Sequence, residues 1–164
     1  MPIQQTTRLL AIDPGTHEMG VAVCQGAALL YHGVKVIQKG RSPRETLDRA
    51  MSAVGGLIDD FRPEVLVVEH TFIGRNRNAA LLNVLADEIQ ALGRRARLTV
   101  LWFAPNAVKK AITGYGWATK AEVAKAVAGR YPELKAYLVH DRKWKARFHE
   151  NMFDAVALGM MALV

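Results

Sequence analysis

One cysteine, Cys24, is all that this 164-residue chain has, so no disulfide can form within it and the fold must hold by packing. Its setting in the apolar run Val21-Ala22-Val23-Cys24 marks it as a small core residue rather than a reactive thiol. No apolar run approaches the ~18 residues that a membrane span needs, and the stretch from Met1 to Arg8 lacks the apolar segment of a secretory signal. An intracellular, cytoplasmic protein is the expectation. Internal repeats, low-complexity tracts and linker-like segments are also missing, and the length suits one domain over residues 1–164 with a core of its own. Acids are in short supply: 15 Asp and Glu against 22 Lys and Arg leave a net charge of +7. The isoelectric point near 9.8 is what a protein that neutralises phosphates carries.

What is present begins with three strands. Leu9 to Asp13 is a continuous apolar run, Gly20 to Cys24 is rich in valine, and Ala28 to Ile37 is longer; Pro14-Gly15 and Gln25-Gly26 mark turns short enough to make the three antiparallel. Ser42-Pro43 reads as an N-cap and first helical residue, with Leu47, Met51, Val54 and Ile58 on one face. Glu64 to Glu69 follows, a run without alternation that suits a strand buried on both faces. A helix from Asn78 to Leu92, ended by Gly93, and a strand from Arg97 to Phe103 come next. Pro105 opens a short helix closed by Gly114, Thr119 caps another, residues 132–149 read as irregular, and Phe153, Val156, Leu158 and Met161 belong to a last helix. The order βββαβαβααα predicts an α/β fold, a five-stranded mixed sheet with helices on both faces.

Three islands bring an acid to the edge of an apolar element: Leu9 to Thr16 with Asp13, Val65 to His70 with Glu69, and Asn151 to Ala157 with Asp154. Two lie at strand ends and one on a helix, so they can meet in such a sheet. Asp13 precedes a Pro-Gly turn and has a plain reading as a turn cap. Glu69 follows four apolar residues, a placement that costs desolvation unless the group is paired or bound to metal; His70 is one available partner. An acid in a helix as apolar as that of Asp154 faces outward by default, yet Asn151 and Glu150 lie three and four residues earlier and can share its face. Carboxylates that converge repel one another unless a divalent metal joins them, and two Mg²⁺ ions ~3.5–4 Å apart can cleave a phosphodiester with no nucleophilic side chain.

These islands, in this order, resemble the RuvC family of Holliday junction resolvases within the RNase H-like nuclease superfamily. Ile12-Asp13-Pro14-Gly15-Thr16 with Gly20 is similar to the family's first-strand motif, and Glu69-His70-Thr71-Phe72 with Asn76 and Ala80 to its second-acid motif. Val108-Lys109-Lys110, Thr113-Gly114 and Lys120-Ala121-Glu122-Val123 look like its two-lysine stretch, and Asp154-Ala155-Val156-Ala157 like its last-acid helix. The resemblance spans nearly the whole chain. It implies an RNase H-like fold and a homodimer that binds four-way branched DNA and nicks two strands symmetrically with two Mg²⁺ ions, for which Mn²⁺ substitutes. It further implies Asp13, Glu69 and Asp154 as catalytic metal ligands, Lys109 and Lys120 at the DNA backbone or scissile phosphate, and Phe72 stacked on an unpaired base beside Arg75 and Arg77.

Two departures stand out. Where the family's last motif has an acid three residues before the final Asp, this chain has Asn151, which keeps a carbonyl ligand but loses a charge; Glu150 is the other candidate for that place, and His149 a candidate proton donor. The basic stretch from Asp141 to Arg147, with Trp144 in it, matches nothing in the family pattern. Two other readings stay open: a nuclease for other branched DNA or structured RNA, and a catalytically weakened junction-binding protein.

Overall fold

The computed structural model describes residues 3–70, 77–138 and 143–164. Five strands form one sheet in the order β3-β2-β1-β4-β5, with β1 Arg8–Asp13, β2 Glu18–Gln25, β3 Ala28–Val36, β4 Val65–Glu69 and β5 Thr99–Phe103. The two short turns make β1, β2 and β3 antiparallel, as expected, while β4 and β5 run parallel to β1. Both parallel connections pass through helices: α1, Pro43–Phe61, leads into β4, and α2, Arg77–Arg95, into β5.

Local signals place the helix ends. Ser42 accepts from the Glu45 N–H and Pro43 opens α1. Gly114, with φ 80°, closes α3, Pro105–Thr113. Thr119 and Glu122 form a reciprocal cap on α4, Lys120–Arg130. Two expectations fail. Gly93 does not end α2, which runs on to Arg95; a Cβ at Gly93 would lie 2.6 Å from Leu66 Cδ2 and 2.9 Å from Val100 Cγ2, so the glycine serves close packing on the sheet. The stretch read as irregular holds a 3-10 turn at Pro132–Tyr137 and, from Lys143, the start of a last helix, α5, that runs to Ala162. Its basic first turn masked the apolar periodicity that starts only at Met152.

The alternation of β1 and β4 divides the core in two. Leu10, Ile12, Leu66 and Val68 face Leu47, Ala50 and Val54 of α1 with Leu85 and Ile89 of α2. Leu9, Ala11, Val65 and Val67 face Val108, Val123, Val127 and the buried stripe of α5. Cys24 belongs to this second layer, fully buried, and burial pushes its thiol up to about 11. No described helix is long and apolar enough to cross a membrane.

Candidate active site

Asp13 and Glu69 are neighbours by register. Ile12 pairs with Val68 across the parallel β1–β4 ladder, so the next residue on each strand is an acid. Parity then orients both: Asp13 follows Leu9 and Ala11, Glu69 follows Val65 and Val67, and all four apolar residues lie in the α5 layer. Two carboxylates at adjacent strand ends, with strands ~4.8 Å apart, therefore aim at one helix.

That helix is brought down by Gly20. Gly20 pairs with Asp13 across the β1–β2 ladder, and a Cβ there would lie 1.8 Å from the carbonyl oxygen of Asn151 and 3.2 Å from Ala155 Cβ. Only glycine lets α5 rest directly on the strand at this point. Asp154, one turn beyond Asn151, thereby comes over the ends of β1 and β4 instead of facing outward, and its side chain retains only 19% exposure.

The cleft so formed is lined by Glu69, Lys109, Lys120 and Asp154. Lys120 Nζ donates to Asp154 Oδ2 at 2.6 Å and stands 3.9 Å from Glu150 Oε2. Burial pushes the Asp13 carboxyl well above its usual range, Glu69 and then Asp154 push it further, and Lys120 opposes them. Glu69 is pushed up to about 7, by burial first and by Asp154 second, against Lys120 and Lys109. Burial pulls the Lys120 ammonium down, but Asp154, Asp13 and Glu150 outweigh it and hold it above its usual value. One lysine thus serves as the shared counter-ion of the three expected acids. Among the described residues no three His, Cys, Asp or Glu side chains form a group that could hold a metal ion in this arrangement, in which Lys120 stands against Asp154. The donor chemistry nevertheless fits a hard divalent cation: oxygen ligands only, negative charge in excess, and protons retained where a cation would relieve the repulsion.

Both candidates for the fourth ligand place a polar atom near another side chain. Asn151 Nδ2 donates to Glu18 Oε2 at 3.5 Å, and Glu150 turns toward Lys120. Glu18 escaped the sequence analysis, though its parity with Gly20, Ala22 and Cys24 on β2 places it on the α5 face. His70 does not pair with Glu69. It is buried on the opposite side, where its Nε2 lies 2.9 Å from Asp87 Oδ1 of α2. The His149 ring packs edge-on against Tyr137 with centroids 4.9 Å apart. Phe72 and Arg75 lie outside the described residues, and of Arg77 only its place as the first residue of α2 is described.

A family model described as crossover junction endodeoxyribonuclease RuvC matches residues 9–136. That stretch carries Asp13, Glu69, Lys109 and Lys120 and stops short of Asn151 and Asp154. The chain is similar to the crossover junction endodeoxyribonuclease RuvC of Rubrobacter xylanophilus, 36% identical over 124 residues that cover 73% of this chain and 69% of that one. To the enzyme of the same name from Maricaulis maris it is 34% identical over 136 residues, covering 80% and 82%. Among solved structures, Thermus thermophilus RuvC in complex with a Holliday junction substrate superposes with a TM-score of 0.72 at 27% identity, covering 94% of this chain and 92% of that one. The yeast mitochondrial Holliday junction resolvase, 15% identical with a TM-score of 0.67, shares the fold.

Proposed function

The chain belongs to the RuvC family of crossover junction endodeoxyribonucleases, and on that premise we propose that it resolves four-way DNA junctions by paired, symmetric phosphodiester cleavage. The observation that carries the proposal is the convergence of Asp13, Glu69 and Asp154, two from adjacent strand ends and one from the helix laid across them. The chain acts as one nuclease domain over residues 1–164, as a homodimer, and in the cytoplasm where DNA is found.

Asp13, Glu69 and Asp154, with the carbonyl oxygen of the Asn151 side chain, are the ligands we assign to two Mg²⁺ ions, which Mn²⁺ can replace. When bound, such ions activate water and stabilise the leaving oxygen in phosphodiester hydrolysis. The protein's own groups do the rest. Asp13 and Glu69 hold protons at the bottom of the cleft in the free protein, because burial and the neighbouring acids disfavour their charge, and a bound cation would relieve that cost. Lys120 is the counter-ion of Asp154 in the free protein and, with a divalent ion held by the acids, would be available to a backbone phosphate; Lys109 would supply a second contact from the same cleft. Phe72 takes an unpaired base at the crossover, flanked by Arg75 and Arg77 on the phosphates.

The test compares a synthetic four-way junction, a flap, a duplex and a folded RNA under one salt and Mg²⁺ condition. Fastest cleavage of the junction, yielding two nicked duplexes, supports the proposal. Equal or faster cleavage of the flap or the RNA overturns it in favour of a broader RNase H-like nuclease, and junction binding without cleavage points to a silent module.

A further inference from the structure

The turn between α3 and α4, residues 114–119, presents two aromatic rings that the cleft does not use. Trp117 is 76% exposed and Tyr115 54%. The turn that holds them is closely braced. Gly114 closes α3 with its N–H on the Lys110 carbonyl, and the Thr113 hydroxyl donates to the Lys109 carbonyl at 2.8 Å while accepting the Tyr115 N–H at 3.2 Å. Ala118 is buried and its N–H donates to the Tyr115 carbonyl at 3.2 Å, after which the reciprocal cap of Thr119 and Glu122 starts α4. Trp117 therefore stands between a glycine and a buried alanine in a hydrogen-bonded turn, directed to water. An indole left in water forgoes one of the largest burial gains a side chain offers, and nothing in the packing of this turn requires it.

Its surroundings indicate what it meets. Lys109 and Lys110 precede it on α3 and Lys120 and Lys125 follow it on α4, and two of these, Lys109 and Lys120, line the acid cleft itself. Such a lysine-rich surface draws a polyanion with flat apolar faces. We propose that Trp117 is a nucleobase-stacking contact at the rim of the cleft, taking the face of a base left unstacked where the strands exchange, in a part of the sequence separate from Phe72. The inference rests on the junction-cleaving function proposed above and specifies how that site holds its DNA.

The test measures binding of the full chain to a synthetic four-way junction at several salt concentrations, with cleavage alongside, for the wild type, Trp117→Ala and Trp117→Phe. Loss of one stacked base corresponds to an affinity fall on the order of ten-fold for Trp117→Ala. Its salt dependence stays that of the wild type, since no phosphate contact is removed. Trp117→Phe retains most of the affinity, and the thermal midpoints of both variants match the wild type because the side chain is exposed. Wild-type binding by Trp117→Ala overturns the proposal, as does equal weakening by Phe and Ala, which would mean that a stacked ring is not the contact. A wild-type chain that neither binds nor cuts the junction overturns the proposed function and this inference together; a wild type that cuts while Trp117→Ala is unaffected overturns this inference alone.

Discussion

Lys120 Nζ stands 2.6 Å from Asp154 Oδ2, an ion pair that ties the first residue of α4 to the middle of α5 across the mouth of the cleft. The pair is half in water, so its worth lies less in stability than in where it holds a positive charge. That charge opposes the upward shift of both Asp13 and Glu69.

Replacing Lys120 with methionine removes this opposition while keeping most of the side chain's bulk. The Glu69 carboxyl then titrates above its wild-type position near 7, which ¹³C NMR of the metal-free protein reads directly. Junction cleavage falls at the same time. An unmoved titration would show that Lys120 is not the counter-ion of the strand-end acids.

Asp13→Asn keeps the shape of the side chain and removes a charge from the cleft. Cleavage of a four-way junction should drop by at least ~10²-fold with junction binding spared. In the same variant the metal-free protein becomes more stable at neutral pH, because the buried carboxyl is held protonated in the fold and gains by ionising on unfolding, whereas Asn gains nothing. Normal cleavage by this variant would remove Asp13 from the site.

Both strand-end acids titrate above their unfolded values, so between the two values the folded chain keeps protons that the unfolded chain has released. The associated stability is complete below about pH 4 and is lost as pH rises, through about 7 for Glu69. Thermal midpoints in chelator should therefore fall from pH 5 toward pH 8, and excess Mg²⁺ should restore them at the upper end. A flat profile in chelator would contradict the buried-acid account.

Gly20→Ala puts a methyl group where the Asn151 carbonyl oxygen lies 1.8 Å away, and backbone must give way. A loss of roughly 1–3 kcal/mol in urea unfolding is expected from such overpacking. Cleavage should fall further than that loss of stability explains, since the shift moves Asp154. Full activity in a destabilised variant would show that the seat of α5 on β2 does not position the acid.

Asn151→Asp adds a fourth acid to the cleft and sets it against Glu18, with which Asn151 now shares a hydrogen bond. Half-saturating Mg²⁺ for cleavage should fall several-fold, ~5-fold, as ligand charge rises. The metal-free variant should melt earlier than the wild type, because two carboxylates then face each other. Unchanged metal dependence would place residue 151 outside the ligand set.

Much of this arrangement could be read from the chain. Runs and turns delimit the three-strand start, and Ser42-Pro43, Gly114 and Thr119 cap their helices as their chemistry requires. Parity alone puts Asp13 and Glu69 on one face once β1 and β4 are taken as neighbours. What escaped reading depends on contacts between distant segments. Gly93 looks like a helix stop, and its real task, close approach to Leu66 and Val100, exists only in the packed state. Asp154 faces the cleft because Gly20, far away in sequence, lets the helix in. His70 has an acid beside it in sequence and a different one, Asp87, beside it in space.

Cys24 carries a practical consequence for all of these experiments. The chain's one thiol is sealed beneath α5, with its sulfur 3.3 Å from where a Cβ on Gly159 would be, and its ionisation is pushed up to about 11. Maleimides and other thiol-directed reagents act on exposed thiolates, so the native protein is a silent background for them. A cysteine introduced on an exposed position such as Lys125 or Arg147 would be the single reactive group, and dyes or spin labels placed there could follow DNA engagement without first removing anything from the core.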